Sequence, residues 1–272
     1  MSLMPLSPEP LILGHRGASA VAPENTLAAF SMAIQEGADG IEFDVRLARD
    51  NVPVVIHDAN LKRTGLIDGI IAELTGAQLQ ATDVGSWFTH RRAPEDRASQ
   101  KPSYAGERLP TLAQVFGFFS SHDGILYVEM KCDAGTQLAA EVVKLSRQTS
   151  IADRVVVESF ELSAIAEVKR IDAGIRTAAL FEPRLSRPIS SLRRLRMIDL
   201  AHKHGADEIA LHHTLAGPVI VEKARKSGLE VVVWTVDDVE WIARARFMGI
   251  KALISNDPGR MVRHRNKLEN IA

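Results

Sequence analysis

Gly40-Ile41-Glu42-Phe43-Asp44-Val45 sets apolar residues at 41, 43 and 45 and carboxylates at 42 and 44. Side chains two apart on a strand share a face, so one face is apolar and the other carries a carboxylate pair. An isolated pair of this kind is normally a solvated strand face, but the apolar neighbours Ile41, Phe43 and Val45 argue against an exposed position.

Similar runs rich in Val, Ile and Leu recur on both sides of it. The expected strands are 11–14, 40–45, 125–130, 154–159, 176–181, 207–211, 230–236 and 252–255. Helical patterns alternate with them at 24–36, 135–148, 162–171, 192–204, 217–226 and 239–247, several stopped by a glycine just beyond the last apolar position. Eight alternations predict a (β/α)8 TIM barrel in the α/β class, and no Gly-x-Gly-x-x-Gly turn follows any strand to favour a doubly wound sheet.

One segment breaks the rhythm. Residues 52–57 read as a strand after a turn at Arg49-Asp50-Asn51 and are expected to fold back on 42–47 as a hairpin. Residues 59–109 are polar and irregular, too long for a connector, and are expected to form a lid or insertion subdomain after the second barrel strand. Thr111 then reads as an N-cap where the barrel resumes. The whole chain, 1–272, is expected to be a single domain.

Composition bounds the function classes. The chain has 46% hydrophobic and 25% charged residues and a net charge of −1, so no strongly basic surface points to a nucleic-acid partner. Its one cysteine, Cys132, precludes an intramolecular disulfide, and alternation from Lys131 turns it to the opposite face. No apolar run approaches the roughly 20 residues of a membrane span, and no signal peptide is apparent, so a cytoplasmic protein without stable membrane insertion is expected. Phe116, Phe118 and Phe119 are expected to pack a helix on the barrel, and Arg193, Arg194 and Arg196 to form a solvated helix face.

The ionisable candidates fall where a barrel places chemistry. His15 and Arg16 end the first strand, Glu42 and Asp44 sit late in the second, and Glu129 and Lys131 end the third, all at carboxyl ends. Three buried carboxylates require a cation, and an all-oxygen set favours Mg2+ or Ca2+. With His57-Asp58 the inventory suits binding a hard metal ion and breaking a phosphate ester.

His15-Arg16-Gly17, Pro23-Glu24-Asn25-Thr26, Glu42-x-Asp44, His57-Asp58, Leu109-Pro110-Thr111-Leu112, Glu129-x-Lys131, Ser159-Phe160 and Trp234-Thr235-Val236 together resemble the glycerophosphodiester phosphodiesterase family, in order and over nearly the whole chain. The resemblance implies a TIM barrel that uses a divalent metal to hydrolyse glycerophosphodiesters to glycerol 3-phosphate and an alcohol. It further implies that His15 and His57 act as general acid and base, that Glu42, Asp44 and Glu129 hold the metal, and that Arg16 holds the phosphate. Lys131 would add positive charge there, and Phe160 and Trp234 would wall the glycerol moiety. Ser255-Asn256-Asp257-Pro258 departs from the family's usual Thr-Asp-x-Pro, and Leu211-His212-His213 stands where asparagine is common, which bears on headgroup preference. Two alternatives remain: phospholipase D-like hydrolysis of lysophospholipids, and an inactive barrel kept as a binding module.

Overall fold

The computed structural model describes residues 9–90, 103–131, 135–183 and 191–269. Its strands, in chain order, are β1 (Leu11–His15), β2 (Gly40–Leu47), β3 (Pro53–Val55), β4 (Ile125–Met130), β5 (Val155–Ser159), β6 (Arg176–Phe181), β7 (Glu208–His212), β8 (Glu230–Trp234) and β9 (Ala252–Ser255). Eight of them run parallel and close on themselves, because β1 pairs with both β9 and β2. This is the expected (β/α)8 barrel. β3 stands outside the ring and pairs antiparallel with the far end of β2, Val45 opposite Val55, as the hairpin reading anticipates.

The strands tilt, so a row of residues in register descends around the barrel from one end toward the other. One such row runs Asp44, Glu129, Glu158, Ala178, Glu208 and Glu230, from late in β2 to the first residue of β8. Five of its six members are acidic. Leu13, Tyr127, Val156, Ala210 and Val232 fill the barrel interior, while apolar residues on the outer strand faces pack under the helices, as Phe43 and Val128 do with Phe116.

The expected helices form with small shifts of boundary. The first runs Leu27–Gln35 rather than from residue 24, because Asn25 has a left-handed backbone (φ 59°) and Thr26 caps the helix by accepting from the Ala29 amide. Thr111 also caps as expected, with Gln114 completing a capping box on Leu112–Phe119. In that helix Phe116 and Phe119 are fully buried and Phe118 partly so, which bears out packing. Strand β8 ends at Trp234, two residues short of the expected end. Arg196 is exposed, whereas the side chains of Arg193 and Arg194, together with Cys132, lie outside the described residues. Among the described residues no helix is long and apolar enough to cross a membrane.

The stretch after β3 is more ordered than its polar composition suggests. Leu61, Ile71, Leu79, Val84 and Leu109 bury together against Ala48, Val54 and Ile56, and Trp87, Phe88 and Tyr104 form a second small cluster over Ala22 and Ala29. Widely spaced apolar residues within a polar stretch hide this core from a periodicity reading. The segment leaves and rejoins the barrel at one place: Val54 bridges Thr111, and the Val55 amide donates to Pro110.

Candidate active site

The turn after β1 is built to present two side chains. Arg16 takes a left-handed backbone (φ 56°), and Gly17 follows at φ 81°, where an added Cβ would lie 2.6 Å from the Ala29 backbone. The Arg16 amide donates to the Glu42 carbonyl at 2.7 Å, and Asn25 returns its own amide to the Arg16 carbonyl at 3.0 Å. The turn thereby fixes His15 and Arg16 over the carboxyl end of β2.

Glu42, Asp44 and Glu129 are buried, and one oxygen from each lies within 4.8 Å of the others. Lys131 Nζ stands 2.9 Å from Asp44 Oδ1, and also pairs with Glu129. Arg16 Nε lies 3.1 Å from Asp44 Oδ2, and its Nη1 donates to Glu24 at 2.8 Å. Asn25 completes the cradle by donating from Nδ2 to Asp44 Oδ2 at 2.8 Å. Burial opposes ionisation of Asp44, but Arg16 and Lys131 hold its carboxyl well below the usual carboxylate range. Burial followed by repulsion from Asp44 and Glu129 pushes Glu42 well up, and burial with Asp44 pushes Glu129 to about 7.

These observations test the set as a cation site. Three mutually repelling, buried carboxylates face two cations, and one of those, Arg16, is shared with Glu24. An all-oxygen donor set of this charge fits a hard divalent ion, whose binding would relieve the repulsion that now favours protons on Glu42 and Glu129.

Each histidine is held through Nδ1. Asn256 donates from Nδ2 to Asp237 at 2.8 Å, which orients its amide so that Oδ1 accepts from His15 Nδ1 at 2.7 Å. His57 Nδ1 donates to Asp58 at 2.7 Å. In neutral His15 the Nε2 atom is thus left as a lone pair, and it lies 3.8 Å from Glu42. Burial, then the charge of Arg16, lowers the His15 pKa to about 4. Burial also lowers His57, but Asp44 and Asp58 work against it.

His15, Arg16, Glu42, His57, Glu129 and Lys131 border one cavity of about 120 Å³, which Phe160, Trp234, Leu180 and Ile254 also line. Phe160 and Trp234 meet edge to face at 5.5 Å between centroids. A larger cavity of about 480 Å³ lies at the opposite end of the barrel, beside Leu11, Glu230 and Lys251, away from every candidate residue.

The structure therefore brings together every expected site residue and adds four unforeseen features. Asn25 braces Asp44, Asn256 orients His15, and Glu158 contributes a fourth buried acid to the cavity. Arg63 reaches back from the segment after β3 to bind Asp58 at 2.7 Å and both oxygens of Glu24 at 2.7 Å. Asn25 lies within a motif already singled out, and Glu158 alternates with apolar Val157 on its strand as Glu42 does with Ile41 and Phe43. Nothing local in sequence marks Arg63.

Residues 15–260 match the profile of the "Glycerophosphoryl diester phosphodiesterase family". A "Glycerophosphodiester phosphodiesterase" of Caldanaerobacter subterraneus subsp. tengcongensis is 30% identical over 254 residues, covering 93% of this chain and 96% of its own. A phosphodiesterase of Oleispira antarctica, solved in complex with the product sn-glycerol-3-phosphate, superposes with a TM-score of 0.80 at 26% identity, covering 95% of this chain and 97% of its own. A glycerophosphodiester phosphodiesterase of Agrobacterium tumefaciens gives 0.73 at 28% identity over 93% of this chain and 99% of its own. With the motifs, the closed barrel and the acidic centre in agreement, the chain belongs to the glycerophosphoryl diester phosphodiesterase family.

Proposed function

We propose that the protein hydrolyses glycerophosphodiesters to sn-glycerol 3-phosphate and an alcohol, with Glu42, Asp44 and Glu129 holding one divalent ion, Mg2+ or Ca2+. The observation that carries this reading is the convergence of Glu42 and Glu129 with Arg16, Lys131, His15 and His57 around one cavity, with Asp44 completing the carboxylate cluster. A bound divalent ion would withdraw charge from the phosphoryl group as the transition state forms. Arg16 and Lys131 supply the fixed cations that hold the nonbridging oxygens.

His15 takes the role of general base through Nε2: its Nδ1 proton is committed to the neutral Asn256 amide, and burial keeps the ring uncharged. His57 takes the role of acid, because Asp58 beside its Nδ1 stabilises the imidazolium. An attacking oxygen, from water or from a glycerol hydroxyl, yields its proton to His15 and forms the new P–O bond. The bond to the departing alcohol breaks as His57 gives that oxygen a proton. Attack by a glycerol hydroxyl passes through a cyclic phosphate that water then opens. Phe160 and Trp234 wall the glycerol.

Release of glycerol 3-phosphate from glycerophosphocholine and glycerophosphoethanolamine tests this reading, with Mg2+, Ca2+ or EDTA, in the wild type and in His15→Ala. Metal-dependent release that the substitution abolishes is expected. No release by folded, metal-loaded protein would sink it. The lysophospholipid alternative has one observation in its favour, the exposure of Leu66, Ile67 and Ile70 on the segment after β3. Hydrolysis of lysophosphatidylcholine in preference to both glycerophosphodiesters would select it.

A further inference from the structure

Glu158 is a buried acid in the cavity that the proposed chemistry leaves without a task. It is 1% exposed, and its Oε2 has no hydrogen-bond partner. No ion pair with Glu158 exists among the described residues, although Lys131 lies near enough to act on its charge. An unpartnered polar group in a barrel interior destabilises the fold, and such groups are few in native structures. An apolar residue of similar size would pack there without that cost.

Its position supplies a reason. The cavity is lined by the cations and histidines that a phosphate would meet. Leu180, Ile254, Phe160 and Trp234 line the same cavity, and their apolar surfaces suit carbon–hydrogen groups. Trp234 has already spent its only donor on the Ala210 carbonyl at 3.3 Å. Apart from the proposed metal ligands and histidines, two lining side chains can accept from a hydroxyl: buried Glu158, beside Glu129 in the strand register, and exposed Glu182.

We propose that Glu158 is a specificity-determining residue whose carboxyl accepts a hydrogen bond from a hydroxyl of the glycerol moiety within the cavity. The ligand class is a phosphate monoester or diester of a short polyol. This inference rests on the function proposed above for its substrate, but not for its test. A site that bonds a hydroxyl discriminates against the analogue lacking it, because the buried partner is then left unpaired.

The test is calorimetric binding of sn-glycerol 3-phosphate and of n-propyl phosphate, which lacks both hydroxyls, to the Mg2+-saturated wild type, Glu158→Gln and Glu158→Leu. The wild type should prefer the glycerol compound by roughly tenfold or more. Glu158→Gln keeps an acceptor and should keep most of that preference. Glu158→Leu should bring the ratio to within about twofold while melting no earlier than the wild type, since it removes a buried unpaired group. Equal affinity of the wild type for both ligands overturns the proposal, whatever the enzyme hydrolyses, and marks the space beside Glu158 as water-filled. A preference that survives in folded Glu158→Leu overturns it as well. Failure to hydrolyse any glycerophosphodiester, with the binding preference intact and lost in Glu158→Leu, would count against the activity and in favour of this contact.

Discussion

Two acidic clusters occupy the two ends of the same barrel, and they are balanced differently. At the amino end, Glu208 and Glu230 meet Arg176 and Lys251 in equal number: Lys251 Nζ lies 2.6 Å from Glu208 and 2.8 Å from Glu230, and Arg176 bonds both. Tyr127 donates its hydroxyl to the remaining Glu208 oxygen at 2.6 Å. At the carboxyl end, among the described residues, Glu42, Asp44 and Glu129 have Arg16 and Lys131 as their fixed counter-charges, and Asp44 Oδ1 is left without an aligned hydrogen bond. One register row of carboxylates joins both ends, so strand chemistry does not distinguish them. The difference is in counter-charge: the amino-end cluster is balanced by its own cations, whereas the carboxyl-end cluster keeps an excess of negative charge, which is what the proposed divalent ion would neutralise.

Neutralising one acid at each end should break the symmetry in opposite directions. Glu42→Gln is expected to lower kcat roughly a thousandfold, about 4 kcal/mol of barrier, while the metal-free protein melts no earlier than the wild type. Its carboxyl is already pushed toward the protonated form, so an amide replaces little charge. Glu208→Gln should instead cost about 3 kcal/mol of stability in denaturant titrations, the low side for a broken buried pair because Arg176 and Lys251 reach solvent. Its kcat at a temperature where it is folded should stay within about twofold of the wild type. The same loss of activity from both substitutions would end the comparison.

The imbalance also predicts how a divalent ion acts on stability. Glu129 keeps a proton to about pH 7 in the folded protein against an ordinary 4.5, so the folded state binds more protons between those values. Metal-free stability therefore falls as pH rises from about 4.5 through 7, and a cation that replaces the proton restores it. Scanning calorimetry should show a larger rise in Tm on adding Mg2+ or Ca2+ at pH 8 than at pH 5. Occupancy at a hundred times Kd is worth about 2.7 kcal/mol. A metal-induced shift independent of pH would place the ion elsewhere.

Arg63 offers the finest cut. It has no counterpart at the amino end, because it arrives from outside the barrel to hold Glu24 and Asp58. Arg63→Ala should reduce kcat/KM by about tenfold and leave Tm nearly unchanged, as expected for a half-exposed ion pair that orients rather than supports. Rescue by Arg63→Lys should be partial, since one ammonium cannot reproduce bonds to both carboxylates.

How much of this was legible in the sequence depends on the range of the interaction. Alternation of Ile41, Phe43 and Val45 with Glu42 and Asp44 exposes both the strand and its two faces, and the spacing of Glu129 and Lys131 repeats the signal. The helix start at Leu27 escapes the same reading because the left-handed backbone of Asn25, set by its bonds to Arg16 and Asp44, is a tertiary effect. The ordered core after β3 escapes because Leu61, Leu79 and Leu109 lie 18 and 30 residues apart, with no helical or strand period. The pairing of Asn256 with His15 spans 241 positions and becomes visible only when β9 closes against β1.

The close approach of Val54 to Thr111 has an engineering consequence. A stretch of more than fifty residues begins and ends at neighbouring points on the barrel wall, so changing its length or content need not move any strand, and the entropic cost of a longer loop grows only logarithmically. The barrel, its acidic centre and the adjoining His57 and Asp58 act as a socket, and the stretch beyond them acts as a replaceable plug that brings one wire, Arg63, into the circuit. Grafting a foreign segment between Asp58 and Thr111 would keep the socket and His57 and cut that wire, unless the graft supplies an arginine of its own.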